Sequence, residues 1–489
     1  MADKRNTLQR KFEPAHRYAN FGNILTRLTV KGFRCHQNII LDITSPVTAI
    51  CGLNGTGKST FLQLAAAAYI RNDDSMRQYY LKDFFVVGTL DPRPFTDTAS
   101  VEYRYWQEAG NSKSVTLTRN SQSSRWRGYQ RRPKRNVFFA SVGMFLPRIE
   151  QNDFLIRNAQ HLVVRETNTF PDRVKEWTSR ILGYAYENVV DNTVEHSDRS
   201  GNFLSVNRSQ LSYSEAHMGW GEFRVNKLIN TIELLPPKSL VLIEEPEISL
   251  HPSAQHEMGR YLVDVACEKG HQIIITTHSE FLLESLSTAS RVYINYENTG
   301  TSTIPGITSL QARSLMADGH VKALYILVED ECAKAVLSEM LRLGDYNFLQ
   351  TVAIHPCGNT EIIQKTMQAL SNTGLPVAAV RDGDKEGQNN LNIFKLPGTR
   401  PPEKELYFNH VVIEHIQSNY NLNMNEFSGT SLTGVDHHEW FQKLATRLSI
   451  DDTALVTEVS KIYAQSLNIQ EIQSLISLLK VAMNNARAS

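Results

Sequence analysis

The sequence of 489 residues has no excess of charge of either sign, with 51 Lys and Arg against 51 Asp and Glu. No global field therefore draws the chain to nucleic acid or to an anionic membrane, and any such contact must come from a local patch. Cysteine is scarce: Cys35, Cys51, Cys267, Cys332 and Cys357 are scattered and form no Cys-x-x-Cys pair. That excludes a zinc ribbon or a disulfide framework and reads as reduced thiols in a cytoplasmic protein. No run approaches the roughly 18 apolar residues that span a bilayer. The opening MADKRNTLQRKFEPAHRYAN is polar, without the apolar stretch of a signal peptide. Helical periodicity between residues 150 and 195 is far too short for a long coiled-coil arm.

What is present is length enough for two or three domains. LTRLTVKGFR and NIILDI read as strands, and PVTAICGLNGTGKST runs an apolar strand into a glycine-rich turn and a helix through LQLAAAAYI. VEYRYW and KSVTLTR alternate as a hairpin. KSLVLIEEPE and HQIIITTHS are buried strands on either side of a helix from His251, the order of a parallel sheet. A second alternation begins near Lys322 with LYILVEDE, LQTVAIHPCG and PVAAVRDGD, so a boundary is expected between Asn298 and Gly319. The expected fold class is α/β. Its layout is a polar leader (1–22), a mixed-sheet domain (23–300) with a short helical insertion (155–195), a smaller α/β domain (320–425) and a helical C-terminal region (428–489).

GLNGTGKS fits the phosphate-binding pattern Gly-x-x-x-x-Gly-Lys-Ser through Gly52, Gly57, Lys58 and Ser59, between a strand and a helix as the motif requires. Glycines let backbone amides face phosphate oxygens, the helix N-terminus adds positive potential, Lys58 reaches the outer phosphates and Ser59 can ligate magnesium. The cradle runs to Thr60 and includes Asn54 and Gly55. LVLIEEPE supplies Glu244 to orient magnesium and Glu245 to polarise the attacking water. His278 ends the next strand, within reach of a γ-phosphate. HMGWGEFRV places Gly219, Gly221 and Glu222 in a turn opening a helix, suited to an anion.

In this order the elements resemble the ABC-type ATPases, and the resemblance spans Leu25 to Tyr296. It implies ATP and Mg2+ as cofactors, Arg34 of the Gly32-Phe33-Arg34 segment near the nucleotide, and a homo-oligomer in which two heads sandwich ATP between P-loop and signature turn. Gln151 is the candidate for the Gln loop. The signature GWGE and Glu244 in place of Asp depart from the transporters, and with IEEPE followed by LHP they resemble the OLD (overcoming lysogenization defect) subgroup.

Farther on, Glu329, Asp382 and Asp384 end two strands of the second alternation, where α/β folds bind ligands. Clustered carboxylates suit Mg2+ or Mn2+. The pattern resembles a Toprim domain, with Cys357-Gly358 near its mid-domain glycine, Asp330 where Toprim carries Gly, and Glu386, Lys404 and Glu405 as candidates for its downstream acids and lysine. A head followed by Toprim is similar to the OLD-type ATPases of anti-phage systems such as Gabija, Septu and retron-associated modules. Two roles stay open: an ATP-regulated nuclease cutting with its own Toprim-like domain, or a non-cutting ATPase that assembles with a separate nuclease, such as HNH, or with retron components.

Between Arg119 and Arg135 the segment carries Arg125, Trp126, Arg127, Tyr129, Arg131, Arg132, Lys134 and Arg135 and almost no acid, a pattern that can neutralise phosphates and stack on bases. It is the expected nucleic-acid surface. In GVDHHEWF, adjacent histidines on a helix point in different directions, so Asp436 is read as an N-cap and no metal is expected there.

Overall fold

Two long apolar runs, VTAICG and QIIIT, are buried along their whole length, which demands cover on both faces of their sheet. The computed structural model describes residues 3–72, 77–120, 123–297, 300–317 and 320–485. They form two units, Met1–Ala312 and Arg313–Ser489. Asn298 and Gly319, the ends of the expected boundary stretch, lie outside the described residues.

In the first unit, Val47–Gly52 and Gln272–Thr276 lie at the centre of a six-stranded sheet. Its order is Gly300–Pro305, Arg291–Glu297, Val47–Gly52, Gln272–Thr276, Leu240–Glu244, Val137–Ala140, and only the edge strand Gly300–Pro305 is antiparallel among these. A second, antiparallel sheet runs His36–Asp42, Ile24–Phe33, Phe95–Trp106, Ser112–Asn120, Ser123–Arg127. Helix Lys58–Ala66 packs between the two, burying Phe61, Leu62 and Leu64 with Leu28, Val30 and Val101. Tyr103 seals that layer by donating its hydroxyl to Leu64 O at 2.8 Å.

The helical insertion expected at 155–195 is corrected by the structure. Strands Val163–Thr169, Asn188–His196, Arg199–Arg208 and Leu211–Ser214 form a four-stranded antiparallel sheet, with helix Asp172–Leu182 between the first two. NVVDNTVEH carries four β-branched residues, Val189, Val190, Thr193 and Val194, which favour pleated pairing. The polar leader is two helices, Arg5–Phe12 and Pro14–Phe21, that bury Leu8, Phe12 and Phe21. A helical period hides three apolar residues in a run that is polar on average.

The second unit is a parallel sheet in the order Val352–Pro356, Leu324–Val328, Val377–Arg381, Ile393–Lys395. Helices Glu331–Gly344 and Thr360–Ser371 form its crossovers. From Pro402 the chain is helical, and Asp452–Ser466 packs along Glu331–Gly344. Among the described residues no helix is long and apolar enough to cross a membrane.

Candidate functional site

Strand Val47–Gly52 delivers the chain into the glycine turn, and two glycines there are sterically required. A Cβ on Gly57, at φ 86°, would lie 2.3 Å from His36 Nε2 and 2.7 Å from Cys35 Sγ. One on Gly52 would lie 2.6 Å from Ile294 O. Gly57 opens helix Lys58–Ala66, its carbonyl 3.1 Å from His36 Nε2. Lys58, 7 % exposed, donates to Gly52 O at 3.0 Å and Leu53 O at 2.8 Å, so its ammonium folds back over the loop. Burial lowers its pKa, while Glu245 pulls the other way. Asn54, Gly55 and Ser59 are exposed, and Thr60 is buried. Arg34, in the turn between Ile24–Phe33 and His36–Asp42, is exposed with its guanidinium 5.4 Å from the Phe85 ring.

The two acidic residues end strand Leu240–Glu244 on opposite terms. Glu244 accepts from Val142 N at 3.4 Å. Glu245 lies in left-handed backbone at φ 44°, its N–H on Thr276 O at 3.1 Å, and its carboxylate is 3.7 Å from His278 Nε2. The pKa of His278 is lowered by burial first and by the Lys58 charge second, which favours the neutral imidazole, while Glu245 pulls the other way. Two supports stand inside the quoted motif segments but had been given no role there. Glu247, buried, accepts from Thr277 Oγ1 at 2.6 Å and His278 N at 2.8 Å, fixing the strand end that bears His278. Arg224, also buried, donates to Glu244 O at 2.7 Å. Lys58, Glu245 and His278 thus share one end of the parallel sheet, the arrangement that binds a phosphate chain and orients water. Gln151 is exposed and donates to Leu146 O at 2.8 Å.

Gly219 caps helix Trp220–Leu234 and is exposed, with open space where a Cβ would stand. A Cβ on Gly221 would lie 2.5 Å from Ser249 O. Glu222 accepts from Tyr186 OH at 2.5 Å and Tyr213 OH at 2.8 Å. Both phenols come from the inserted sheet region, so its strands hold the first turn of the signature helix. Trp220 Nε1 donates to Phe145 O at 3.1 Å.

In the second unit the ends of Leu324–Val328 and Val377–Arg381 carry Glu329 and Asp382. Gly358 N, from the loop after Val352–Pro356, donates to Glu329 O at 3.0 Å. Asp382 is 3 % exposed. Its pKa is pushed up to about 8 by burial first, then by the charges of Glu329, Asp330, Glu403 and Asp384. Burial also raises Glu329. Glu329 Oε1 and Asp382 Oδ1 are buried without a hydrogen-bond partner. Orphaned carboxylate oxygens among like charges fit a hard divalent cation, which would supply the missing positive charge. Asp384 is exposed and pairs with Lys385 at 3.2 Å. Of the downstream candidates, Glu405 is spent on the loop before it, accepting from Thr399 N at 2.7 Å and Arg400 N at 2.9 Å. Glu386 is exposed. Lys404 lies near Asp436 and His437, whose titration it influences. Glu403, which sequence reasoning missed, is the acid that lies near Asp382.

The basic segment is corrected. Arg132 and Arg135 are 5 % and 4 % exposed. Arg132 donates to Ala67 O and Tyr129 O, and Arg135 to Lys238 O, Asn23 O and Gln272 Oε1. They tie together carbonyls that end helices and strands, and neither reaches solvent phosphate. Trp126 stacks on Phe33 at 5.4 Å between centroids, so its ring is engaged by the core. Arg125, Arg127 and Arg131 are exposed. The histidine pair also departs from expectation. Asp436 does cap, accepting from His438 N at 3.0 Å, but the capped element is a short 3-10 turn and the two rings converge to 4.1 Å.

Two ATPase family models match the chain, an AAA domain over residues 27–167 and an AAA ATPase domain over residues 156–283. The Old nuclease of Escherichia phage P2 is 38% identical over 63 residues, which is 13% of this chain and 11% of that protein. The OLD nuclease of Thermus scotoductus is 25% identical over 316 residues, 52% of this chain and 59% of the relative. The chain therefore covers less than two thirds of either curated relative. Among solved structures, the SMC head domain from Thermotoga maritima aligns with 57% of this chain and 98% of its own at 16% identity and a TM-score of 0.35.

Proposed function

Since this chain is an OLD-family ATPase, we propose that it couples ATP binding and hydrolysis to divalent-metal-dependent cleavage of nucleic acid by its second unit, in the anti-phage setting that the family resemblance implies. In the first unit the amides of the Gly52–Thr60 turn and Lys58 hold the phosphate chain. Ser59 and Glu244 would hold a magnesium ion, which would offset charge on the outer phosphates. Glu245 accepts a proton from the attacking water, and His278, kept neutral, donates or accepts a hydrogen bond at the γ-phosphate.

In the second unit Glu329, Asp382 and Asp384 would hold a Mg2+ or Mn2+ ion, which would supply positive charge to offset that developing on a phosphate being cleaved. The observation that carries this reading is the pair of buried, partnerless oxygens, Glu329 Oε1 and Asp382 Oδ1, at adjacent strand ends. A second reading, a docking unit for a separate nuclease, is favoured by Asp384 being engaged with Lys385 and by Asp330 standing where Toprim carries glycine.

The discriminating experiment assays cutting of DNA and RNA by the purified chain, with and without metal, beside Asp382→Ala. The nuclease reading expects metal-dependent cutting that Asp382→Ala abolishes while ATP hydrolysis persists. No cutting under any nucleotide condition, with function in cells untouched by Asp382→Ala, leaves the docking reading.

A further inference from the structure

The strand-end carboxylates leave unused a pair of imidazoles in the same unit. Asp436 caps the turn His437–Glu439, and this tight turn brings two consecutive side chains to one side. One nitrogen of His437, one of His438 and a carboxylate oxygen of Glu403 all lie within 4.8 Å of one another. Glu403 is 4 % exposed, yet its Oε2 has no hydrogen-bond partner, while Oε1 stands 3.2 Å from His438 Nδ1. Asp330 Oδ2 lies 3.6 Å from the same nitrogen. A buried carboxylate with an idle oxygen is costly unless something positive completes it. One exposed imidazole does not reach that oxygen.

We propose that Glu403, His437 and His438, with Asp330 closing the set, bind a divalent transition cation, zinc or manganese, at a position adjoining the oxygen-only site of Glu329, Asp382 and Asp384 but with its own imidazole ligands. Two imidazoles with carboxylates are a donor set for borderline metals, whereas magnesium and calcium take oxygen. The two positions therefore sort cations by donor chemistry. Tetrahedral zinc with bonds of about 2.1 Å needs ligand atoms about 3.4 Å apart. Closing from the observed spread of up to 4.8 Å needs a shift of at most about 1.4 Å, which the His438 side chain, 56% exposed, can make against the buried Glu403. Asp436 Oδ1, 3.4 Å from His437 Nδ1, supplies the outer carboxylate that fixes a ligating imidazole and leaves its Nε2 for the ion. The proposal stands whether or not the neighbouring site cuts nucleic acid.

The test is equilibrium dialysis of the full chain, stripped with chelator, against Zn2+, Mn2+ and Mg2+ separately. Wild type is expected to bind one zinc that the double variant His437→Ala/His438→Ala lacks or binds roughly 100-fold more weakly. Asp382→Ala is expected to lose magnesium and keep that zinc. A zinc stoichiometry and affinity unchanged in the double-histidine variant overturns the proposal, as does loss of zinc in Asp382→Ala. Should the double variant fail to fold, Glu403→Gln and His438→Gln carry the same comparison. Cobalt substitution of wild type gives an independent readout: a visible band of tetrahedral, imidazole-bound Co2+ is expected, and its absence counts against the site.

Discussion

Glu245 occupies backbone that a glutamate seldom adopts, at φ 44°, and the strain is held by its N–H on Thr276 O. Gln keeps the same shape and bonds there, so Glu245→Gln should bind ATP as wild type does while hydrolysing it about 100-fold or more slowly. Lys58→Ala should instead lose tight ATP binding, since it removes the cation and not the proton acceptor. Nucleotide affinity and turnover, measured separately, check both. Wild-type turnover in Glu245→Gln would show that another group activates the water. A third residue prediction follows from burial. Arg135→Ala leaves Lys238 O without its donor and takes one of two donors from Asn23 O and Gln272 Oε1, which keep Tyr69 OH and Leu25 N, and should cost about 2 kcal/mol. Arg127→Ala, on an exposed position, should change stability by less than about 0.5 kcal/mol. Urea midpoints separate the two. A cluster of arginines looks the same in a sequence whether its partners are solvent phosphates or backbone carbonyls distant along the chain. That is why Arg132 and Arg135 were not legible as structural.

At the scale of elements, the strand, glycine turn and helix at Val47–Ala66 were legible because glycine spacing and an apolar run both report local backbone demands. The strands of 163–214 were not, since their pairs Val189–Val206 and Val194–Gly201 join segments whose alternation is weak in polar sequence. Glu403 escaped notice, and the pair His437 and His438 was set aside, for a related reason: Glu403 and His438 stand 73 and 108 positions along the chain from Asp330 (403 − 330 and 438 − 330). Turns between helices and strands carry a pH dependence of their own. His271 lies just before strand Gln272–Thr276 and accepts from Ser239 N at 3.1 Å. Its pKa falls to about 3, through burial first and then the charges of Lys269 and Arg135. In the unfolded chain an imidazole titrates near about 6.5. Above that pH its contribution is fully present, and it is lost as pH falls from there toward 3 because the unfolded chain binds a proton that the fold excludes. His271→Asn, which keeps an acceptor and cannot charge, should lose less stability than wild type between pH 7.5 and pH 5. Equal losses in denaturant midpoint would assign the slope to other groups.

At the scale of the whole molecule, a head that sandwiches ATP with a second copy requires the signature turn to face the partner's nucleotide. Gly221 is a poor place to test this, because any Cβ there strikes Ser249 O of the same chain. Gly219 is the cleaner position, exposed and with open space. Gly219→Asp is expected to bind ATP normally yet fail to associate when a non-hydrolysable analogue is added, as read by sedimentation. Association equal to wild type would argue against the sandwich.

The bond from Trp220 Nε1 to Phe145 O closes a neck across which the chain leaves the nucleotide sheet and returns to it. Everything between these residues is an excursion whose ends are already fixed together. Lengthening a loop with pinned ends is cheap, about 0.6 kcal/mol in chain entropy for each doubling. Loops within this excursion can therefore lengthen over evolutionary time at little cost, so long as Tyr186 and Tyr213 keep their bonds to Glu222.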